Sequence, residues 1–182
     1  MKGIIFLEFL ELVEDKFGLD VADEMIESSD LASSAAYTSV GTYEFDEMVQ
    51  LVTHLSRLTQ IAVPDLLQVY GTHLLGRFAD HYPVHFEGVQ STFEMLEKLD
   101  GTIHVEVKKL HPEAELPSFT PSRMSDDCLE LLYESDKPLS TLAYGLIAGC
   151  AGYFGESIDI QMDDQSQPGS TRVNFVLTQQ AA

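Results

Sequence analysis

Apolar residues recur at helical spacing through the first half of the chain. This pattern predicts a helix over residues 2–17, a short second helix to about residue 27 and a third over 45–58. A fourth helix is predicted from Pro64 through Phe78. Proline is favoured in the first turn of a helix, which is where Pro64 lies. Residues 28–43 are rich in Ser, Ala, Thr and Gly, which is typical of a loop.

A fifth amphipathic helix is predicted ahead of Pro112, which closes it. Its apolar stripe, with spacings of three and four, consists of Phe93, Leu96, Leu99, Ile103, Val107 and Leu110. His104 lies on the shoulder of this stripe, where a neutral imidazole can offer a ring nitrogen to an adjacent cavity. A histidine in such a position is most often a core or boundary residue, so the position alone assigns it no function.

The pattern changes after Pro117. A compact apolar run over 129–133 predicts a strand, and 138–154 has helical spacing despite Gly145, Gly149 and Gly152. Glycines tolerated inside a helix indicate that something packs very close to its backbone. Residues 157–162 and 172–177 alternate around a turn at Pro168-Gly169, which predicts a hairpin. The fold class predicted is α+β, with a helical N-terminal lobe followed by an antiparallel sheet packed with helices.

The charge balance excludes some partners. The 182 residues include 10 Lys and Arg against 30 Asp and Glu, a formal net charge of −20. Such a surface repels phosphate backbones and anionic headgroups, so neither nucleic acid nor a membrane surface is expected as a partner. Two interpretations of the charge stay open, namely simple solubility and a basic protein partner.

The sequence also predicts a cytoplasmic location. The apolar start at residues 1–9 is interrupted by Glu8 and Glu11, so it does not fit a signal peptide, and no apolar run is long enough to span a bilayer. Cys128 and Cys150 lack the spacing of a metal or redox motif, which fits a reducing compartment.

No motif of an enzyme is present. The sequence contains no Gly-x-Ser-x-Gly, His-Glu-x-x-His or phosphate-binding loop. With this many acids, neighbouring carboxylates occur by chance, so they do not indicate catalysis. We therefore expect a protein that is not an enzyme.

Several short motifs occur in an order that resembles one known family. They are Met1 to Phe6, Ile103-His104 through Leu110 and Pro112, Leu116-Pro117, Tyr133-x-Ser135-x-Lys137, and Gly145-Leu146-Ile147. Together they resemble the haem nitric oxide/oxygen-binding (H-NOX) domain, the family that includes the gas-sensing domain of soluble guanylate cyclase. The resemblance covers essentially the whole chain and implies a single domain over residues 1–182 with haem between two lobes, a distal lobe of about 1–62 and a proximal lobe of about 63–182.

The resemblance implies roles for particular residues around a non-covalent haem b. His104 matches the proximal histidine, the only protein ligand of the iron, and Pro117 matches the proline that presses on and distorts the haem. Tyr133, Ser135 and Lys137 match a Tyr-x-Ser-x-Arg motif that binds the haem propionates. Lysine departs from that motif because an ammonium cannot hold a carboxylate bidentately, so weaker or less rigid haem binding is expected.

The residues that match the distal wall are all apolar: Ile5, Phe9, Leu74, Leu75, Phe78, Leu142 and Leu146. In oxygen-binding relatives a tyrosine at the position of Leu142 donates a hydrogen bond to oxygen, which leucine cannot do. Tyr144 is two residues further along, on another side of the helix, and is not expected to replace it. The resemblance therefore implies binding of nitric oxide and carbon monoxide and exclusion of stable oxygen binding.

The mechanism that the resemblance implies is a switch. Binding of nitric oxide releases His104, the haem relaxes against Pro117 and Ile5, and the lobes rotate, which a histidine kinase or a cyclic-di-GMP enzyme reads in trans. Some relatives also bind zinc, but no cysteine follows Cys150 and no histidine follows His111, so no zinc is expected. One alternative stays open, a haem-free acidic interaction module in which Lys137 marks a lost cofactor site.

Overall fold

The computed structural model describes residues 1–180, and every helix predicted in the first half is present within a few residues of its expected bounds. Pro64 lies in the first turn of its helix, as predicted. Among residues 1–180, no helix combines the length and apolarity needed to cross a bilayer. A short 3₁₀ helix occupies Pro83–His85, and the α-helices are α1 (Gly3–Phe17), α2 (Leu19–Glu27), α3 (Phe45–Thr59), α4 (Val63–His81), α5 (Thr92–Lys98), α6 (His104–Leu110) and α7 (Ser140–Phe154).

The second half builds one antiparallel sheet of four strands in the order β1-β2-β4-β3. The strands are β1 (Ser118–Ser125), β2 (Cys128–Ser135), β3 (Ile158–Asp164) and β4 (Thr171–Gln179). The predicted strand and hairpin are confirmed as β2 and as the pair of β3 and β4. Strand β1 was not predicted, because Pro121 and several polar residues mask it. Since β1 lies at the sheet edge, a proline there loses little hydrogen bonding.

The helix around His104 differs from the prediction of one continuous amphipathic helix. A π-helical turn over Leu99–Ile103 separates α5 from α6, and the backbone amide of His104 donates to the carbonyl of Leu99. This wider turn changes the face that the following residues present. The predicted apolar stripe is buried at Phe93 and Leu96, but Leu110 at its end is 77% exposed.

The buried apolar residues form two cores. The first lies among α1, α2, α3 and α4 and also receives Leu142 from α7, while the second lies between α5, the sheet and α7, through Ala143 and Ile147. Helix α7 therefore contributes to both cores. The lobe boundary expected near residue 62 stays a prediction, and α4, which follows that residue, contributes Leu66, Leu67, Tyr70 and Leu74 to the first core.

Helices α4 and α7 cross with their backbones in contact. A Cβ atom on Gly71 would lie 2.4 Å from the carbonyl oxygen of Leu142, and one on Gly145 would lie 2.3 Å from the carbonyl oxygen of Gln68. The close approach predicted from the glycines of α7 is confirmed at Gly145 and Gly149. It is wrong for Gly152, where a Cβ would meet open space.

Candidate haem site

His104 is the first residue of α6, and its imidazole is held by Asp100 of the π-helical turn. The Nδ1 atom lies 2.7 Å from Oδ1 of Asp100, while Oδ2 of the same carboxylate accepts a hydrogen bond of 2.8 Å from the backbone amide of Phe119. Asp100 is therefore fixed from two directions. When Nδ1 donates to this carboxylate, the lone pair of the ring is on Nε2, the nitrogen available to bind a metal.

Burial keeps this imidazole neutral. The side chain of His104 is 17% exposed. Burial lowers the pKa of His104 below its ordinary value, and the charge and hydrogen bond of Asp100 offset only part of that effect. A neutral imidazole is the protonation state that a metal ligand requires.

The structure brings His104 and Pro117 together. Both line a pocket of about 160 Å³, whose other lining residues are Asp100, Val105, Lys108, Leu116 and Ser118. The ring of Phe119 connects this pocket to β2, because its centroid is 5.9 Å from that of His104 and 5.3 Å from that of Tyr133. His104 and the first residue of the Tyr-x-Ser-x-Lys motif thus both lie near one aromatic side chain.

Tyr133, Ser135 and Lys137 lie together where β2 ends. The hydroxyl of Ser135 accepts a hydrogen bond of 3.0 Å from the backbone amide of Lys137, and the hydroxyl of Tyr133 lies 3.5 Å from the carbonyl oxygen of Lys137. Burial raises the pKa of Tyr133, so its phenol remains a neutral donor. The ammonium of Lys137 donates to Glu115, at 2.5 Å. Two hydroxyls and one cation are therefore available on one short segment.

The predicted distal residues gather mainly in the first core. Phe9, Leu74 and Leu142 are buried there, and Ile5, Phe78 and Leu146 are partly buried against it. They come from α1, α4 and α7. Leu75 lies instead at the crossing of α4 and α7, where its Cβ atom would be 3.1 Å from a Cβ on Gly149.

The tyrosine hydroxyls of the first core are engaged. Tyr70 donates to the backbone carbonyl of Ile5, and Tyr37 donates to the carboxylate of Glu47 at 2.7 Å. Tyr144 packs against the second core, whereas Leu142 and Leu146 belong to the first. That Tyr144 does not replace a donor at Leu142 stays a prediction.

Sequence reasoning missed three residues of this site: Asp100, Glu115 and Phe119. Asp100 could have been found, because an acid four residues before a histidine is a recognisable helical pair. The other two depend on β1 and on the segment before it, which no sequence pattern revealed. Within residues 1–180, no group of three or more His, Cys, Asp or Glu side chains is arranged to hold a metal ion, and the expectation of no zinc stays a prediction.

The donor set fits haem. A haem iron takes a single neutral imidazole, and His104 presents one whose orientation Asp100 fixes. Propionates need donors at an edge of the site, which Tyr133, Ser135 and Lys137 can supply. The macrocycle needs apolar walls, and the first core offers them in Phe9, Leu74 and Leu142.

Comparison with known proteins gives the same assignment. A family model described as Haem-NO-binding matches residues 2–162. The chain is 39% identical to the Fe(II) unliganded H-NOX protein of K. algicida, over 100% of this chain and 98% of that chain, with a TM-score of 0.93. It is also 39% identical to the H-NOX of Shewanella woodyi, solved with IWP-051 in the Fe(II)CO ligation state, over 99% of this chain and 95% of that chain, with a TM-score of 0.85.

A more distant structure shares the fold. A mutant of T. tengcongensis H-NOX is 22% identical, covers 100% of this chain and 98% of its own, and superposes with a TM-score of 0.90. No curated protein matches the chain. The family match over nearly the whole chain and the two relatives of higher identity are decisive: the chain belongs to the H-NOX family of haem-based gas-sensing domains.

Proposed function

We propose that the protein is a sensor that binds nitric oxide and carbon monoxide at ferrous haem b, excludes stable binding of oxygen, and transmits binding to a partner signalling protein. The observation that carries the proposal is the pair of Asp100 and His104 beside Pro117. That arrangement supplies one oriented, neutral imidazole next to a rigid proline, in a chain of this family.

His104 is assigned the iron and Asp100 its orientation. Bound haem would supply a ferrous iron with one coordination position for a diatomic gas. His104 would supply its Nε2 lone pair to that iron, while the carboxylate of Asp100 holds Nδ1 and would make the imidazole a stronger donor. The backbone amide of Phe119 keeps Asp100 in place, at 2.8 Å. Asp100 is thus a positioning residue that acts through His104.

The rim residues are assigned the cofactor carboxylates. Tyr133 and Ser135 offer hydroxyl donors, and Lys137 offers an ammonium on the same segment. Hydrogen bonds to an ionised group are about twice as strong as neutral ones, and Lys137 adds the only positive charge among the three donors. As a point charge it orients the carboxylate less strictly than a guanidinium would.

Selectivity is assigned to the apolar distal residues. Bound oxygen carries partial negative charge and is stabilised by a hydrogen-bond donor, which nitric oxide and carbon monoxide do not need. Leu142 and Leu146 offer none, and the hydroxyl of Tyr70 already donates to Ile5. The first core therefore favours the two gases that bind without a donor.

The output is assigned to the segment that begins at His104. His104 would hold the iron when haem is bound, while Asp100 holds the imidazole, so a change at the iron would reach α6 and Pro117 through His104. A two-state change of this kind, with rotation of the lobes, is what a partner can read. The net charge of −20 supports a partner with a basic docking surface, and a histidine kinase or a cyclic-di-GMP enzyme is the class we propose.

Absorption spectroscopy of the purified protein tests the proposal. A Soret band that shifts on addition of nitric oxide, with His104→Gly binding haem only weakly or with an altered spectrum, is the expected result. His111→Gly, at the other end of α6, is the matched control and should behave like the parent. A colourless protein that resists reconstitution with haem would favour the alternative, an acidic interaction module without cofactor.

Substitution at Leu142 tests selectivity separately. Leu142→Tyr adds a hydroxyl to the apolar set and should raise oxygen affinity of the ferrous protein, while Leu142→Phe adds a ring of similar size without a donor and should not. If the parent and both variants bound oxygen stably and with equal affinity, the assignment of selectivity to these residues would be overturned.

A further inference from the structure

The segment of residues 111–117, which we name the acidic strap, connects α6 to β1 and is tied to two distant parts of the chain. Glu113 accepts a hydrogen bond of 2.9 Å from the ammonium of Lys2, at the start of α1. Glu115 accepts one of 2.5 Å from the ammonium of Lys137, just after β2. Two carboxylates of one short segment thus hold two lysines that lie far apart in sequence.

The two members of each pair are very differently exposed. The side chains of Lys2 and Lys137 are 12% and 15% exposed, whereas those of Glu113 and Glu115 are 54% and 68% exposed. A largely buried ammonium needs an anionic or polar partner, because leaving it without one is costly. An exposed carboxylate loses little free energy when it leaves the ammonium, because water solvates it. In both pairs, therefore, the glutamate is the member that can be exchanged.

The two lysines differ in what else they contact. Lys2 also donates to the carbonyl of Val40 at 2.6 Å and approaches the hydroxyl of Thr42 at 3.3 Å. Apart from Glu115, the ammonium of Lys137 has a polar contact only with Asp136, at 3.5 Å, among the residues that the structure describes. If both glutamates were removed, Lys2 would keep two acceptors, while Lys137 would keep only the long contact with Asp136.

We propose that Glu115 competes with the cofactor carboxylates for Lys137, so that Lys137 exchanges one carboxylate for another when haem is taken up and the acidic strap is released from β2. The inference rests on the proposed function, since it takes Lys137 as the cation of the propionate contact. No charge is left unpaired in the exchange, because the departing carboxylate is solvated and the arriving one takes its place. Glu115 then opposes cofactor retention, because it offers Lys137 an alternative carboxylate.

Two further observations support this exchange. Burial lowers the pKa of Lys137, but the hydrogen bond that it donates to Glu115 and the charges of Asp136 and Glu115 outweigh it, so the pKa is raised and the ammonium stays charged at neutral pH. The second observation is that the residue at position 137 is lysine rather than arginine. A guanidinium offers five donors and can hold two carboxylates at once, whereas an ammonium is a compact point charge that serves them less well together. Competition is therefore stronger with Lys137 than with arginine.

Transfer of haem from the holoprotein to an excess of apomyoglobin measures the competition directly. Glu115→Gln removes the competing charge while keeping side-chain size, and should slow the loss of haem by about 1.5- to fivefold, the range set by one partly exposed ion pair. Glu113→Gln makes the same change in charge two residues away. It should leave the rate of haem loss unchanged, which separates competition at Lys137 from a general change in electrostatic potential.

The ligand offers a second control. The dimethyl ester of haem keeps the macrocycle and the iron but has no carboxylates, so Lys137 gains nothing by releasing Glu115. With this ester, the parent and Glu115→Gln should lose the cofactor at the same rate. In a Lys137→Arg background, the effect of Glu115→Gln on retention of ordinary haem should shrink, because arginine can serve both carboxylates.

The outcomes separate the two proposals. Equal rates of haem loss for the parent and Glu115→Gln, or an equal slowing by Glu113→Gln, would overturn the role of Glu115 and leave the sensor function intact. A slowing that persists with the dimethyl ester would also overturn it. A chain that takes up no haem would overturn both, whereas a haem protein that gives no response to nitric oxide would overturn the sensor function alone.

Discussion

Gly71 of α4 and Gly145 of α7 face each other where the two helices cross, and neither has room for a side chain. A Cβ atom on Gly71 would lie 2.4 Å from the carbonyl oxygen of Leu142 and 2.7 Å from the amide nitrogen of Leu146. The hydroxyl of Thr72 donates to the carbonyl of Gly145 at 3.2 Å, which adds a hydrogen bond to the contact. The crossing therefore fixes the backbone that carries two of the proposed distal residues.

Gly71→Ala should destabilise the protein by about 1–3 kcal/mol, the usual cost of inserting a methyl group where packing is already tight. The obstacle is backbone, which cannot rotate away as a side chain could. Urea unfolding followed by circular dichroism measures the change. In the holoprotein, the gas-binding spectra should also shift, since the methyl group pushes on Leu142 and Leu146.

Gly76→Ala and Gly152→Ala are the matched controls for this prediction. They lie in the same two helices, and a Cβ at either position meets nothing within 4 Å. Because alanine is a better helix former than glycine, both variants should be unchanged or stabilised, by up to about 1 kcal/mol. Destabilisation of all three variants alike would show that the crossing is not the cause.

Asp100→Asn should weaken haem binding while leaving the fold intact. Asparagine keeps the size of the side chain but loses the negative charge that makes His104 a better donor. Loss of such a partner of a metal ligand typically costs about 10- to 100-fold in affinity. The readouts are haem retention and the iron–histidine stretching frequency in resonance Raman spectra, which should fall.

Glu106→Gln serves as the control for Asp100. Glu106 is on α6 with a side chain 51% exposed, and its carboxylate lies 3.6 Å from Nδ1 of His85. An unchanged stretching frequency is expected. If Asp100→Asn and Glu106→Gln alter the spectrum equally, the effect is one of overall charge rather than of the hydrogen bond to His104.

Glu47→Gln should destabilise the loop between α2 and α3. The buried carboxylate of Glu47 accepts hydrogen bonds from the hydroxyl of Tyr37 at 2.7 Å, the hydroxyl of Ser33 at 2.5 Å and the amide of Ser33 at 3.2 Å. Hydrogen bonds to a charged group are worth about 1.5–3 kcal/mol each, so a loss of that order in urea unfolding is expected. Glu44→Gln, at an exposed position nearby, should change little, and equal losses in both would contradict the prediction.

The two cysteines should differ sharply in reactivity. Cys150 is 1% exposed, and burial raises the pKa of its thiol to about 12, so almost no thiolate forms at mildly alkaline pH. Cys128 is partly exposed at the start of β2. A thiol-specific reagent should therefore label Cys128 rapidly in the native protein and Cys150 only on unfolding. Rapid labelling that survives Cys128→Ala would contradict this.

Local sequence patterns were enough to predict most of the helices and strands. Helical spacing and the position of Pro64 placed α1 to α4, and alternation placed β3 and β4, because each of these signals depends on neighbours in sequence. Strand β1 was missed because Pro121 and polar neighbours leave no alternation, and its pairing with β2 alone makes it a strand. The π-helical turn was also missed, and its residue Asp100 accepts a hydrogen bond from the amide of Phe119, a contact across 19 residues that no local pattern predicts.

The candidate site divides in the same way. Short sequence motifs were enough to single out His104, Pro117 and the Tyr-x-Ser-x-Lys motif. The structure places His104 and Pro117 in the lining of one pocket. Asp100 had a local signal that was not used. Glu115 had none, because its contact with Lys137 spans 22 residues and depends on how the acidic strap lies against β2. Contacts of this length are set by the whole fold.

Helix α7 gives apolar side chains to both cores, Leu142 to the first and Ala143 and Ile147 to the second. Unfolding of either core would leave one side of this helix in water, so their stabilities are thermodynamically coupled and a single unfolding transition is expected. The same sharing restricts how the two halves can move. A wide hinge opening between the two cores would expose apolar surface to water. A small rotation about the axis of α7 would change the angle between the cores and leave both of them covered.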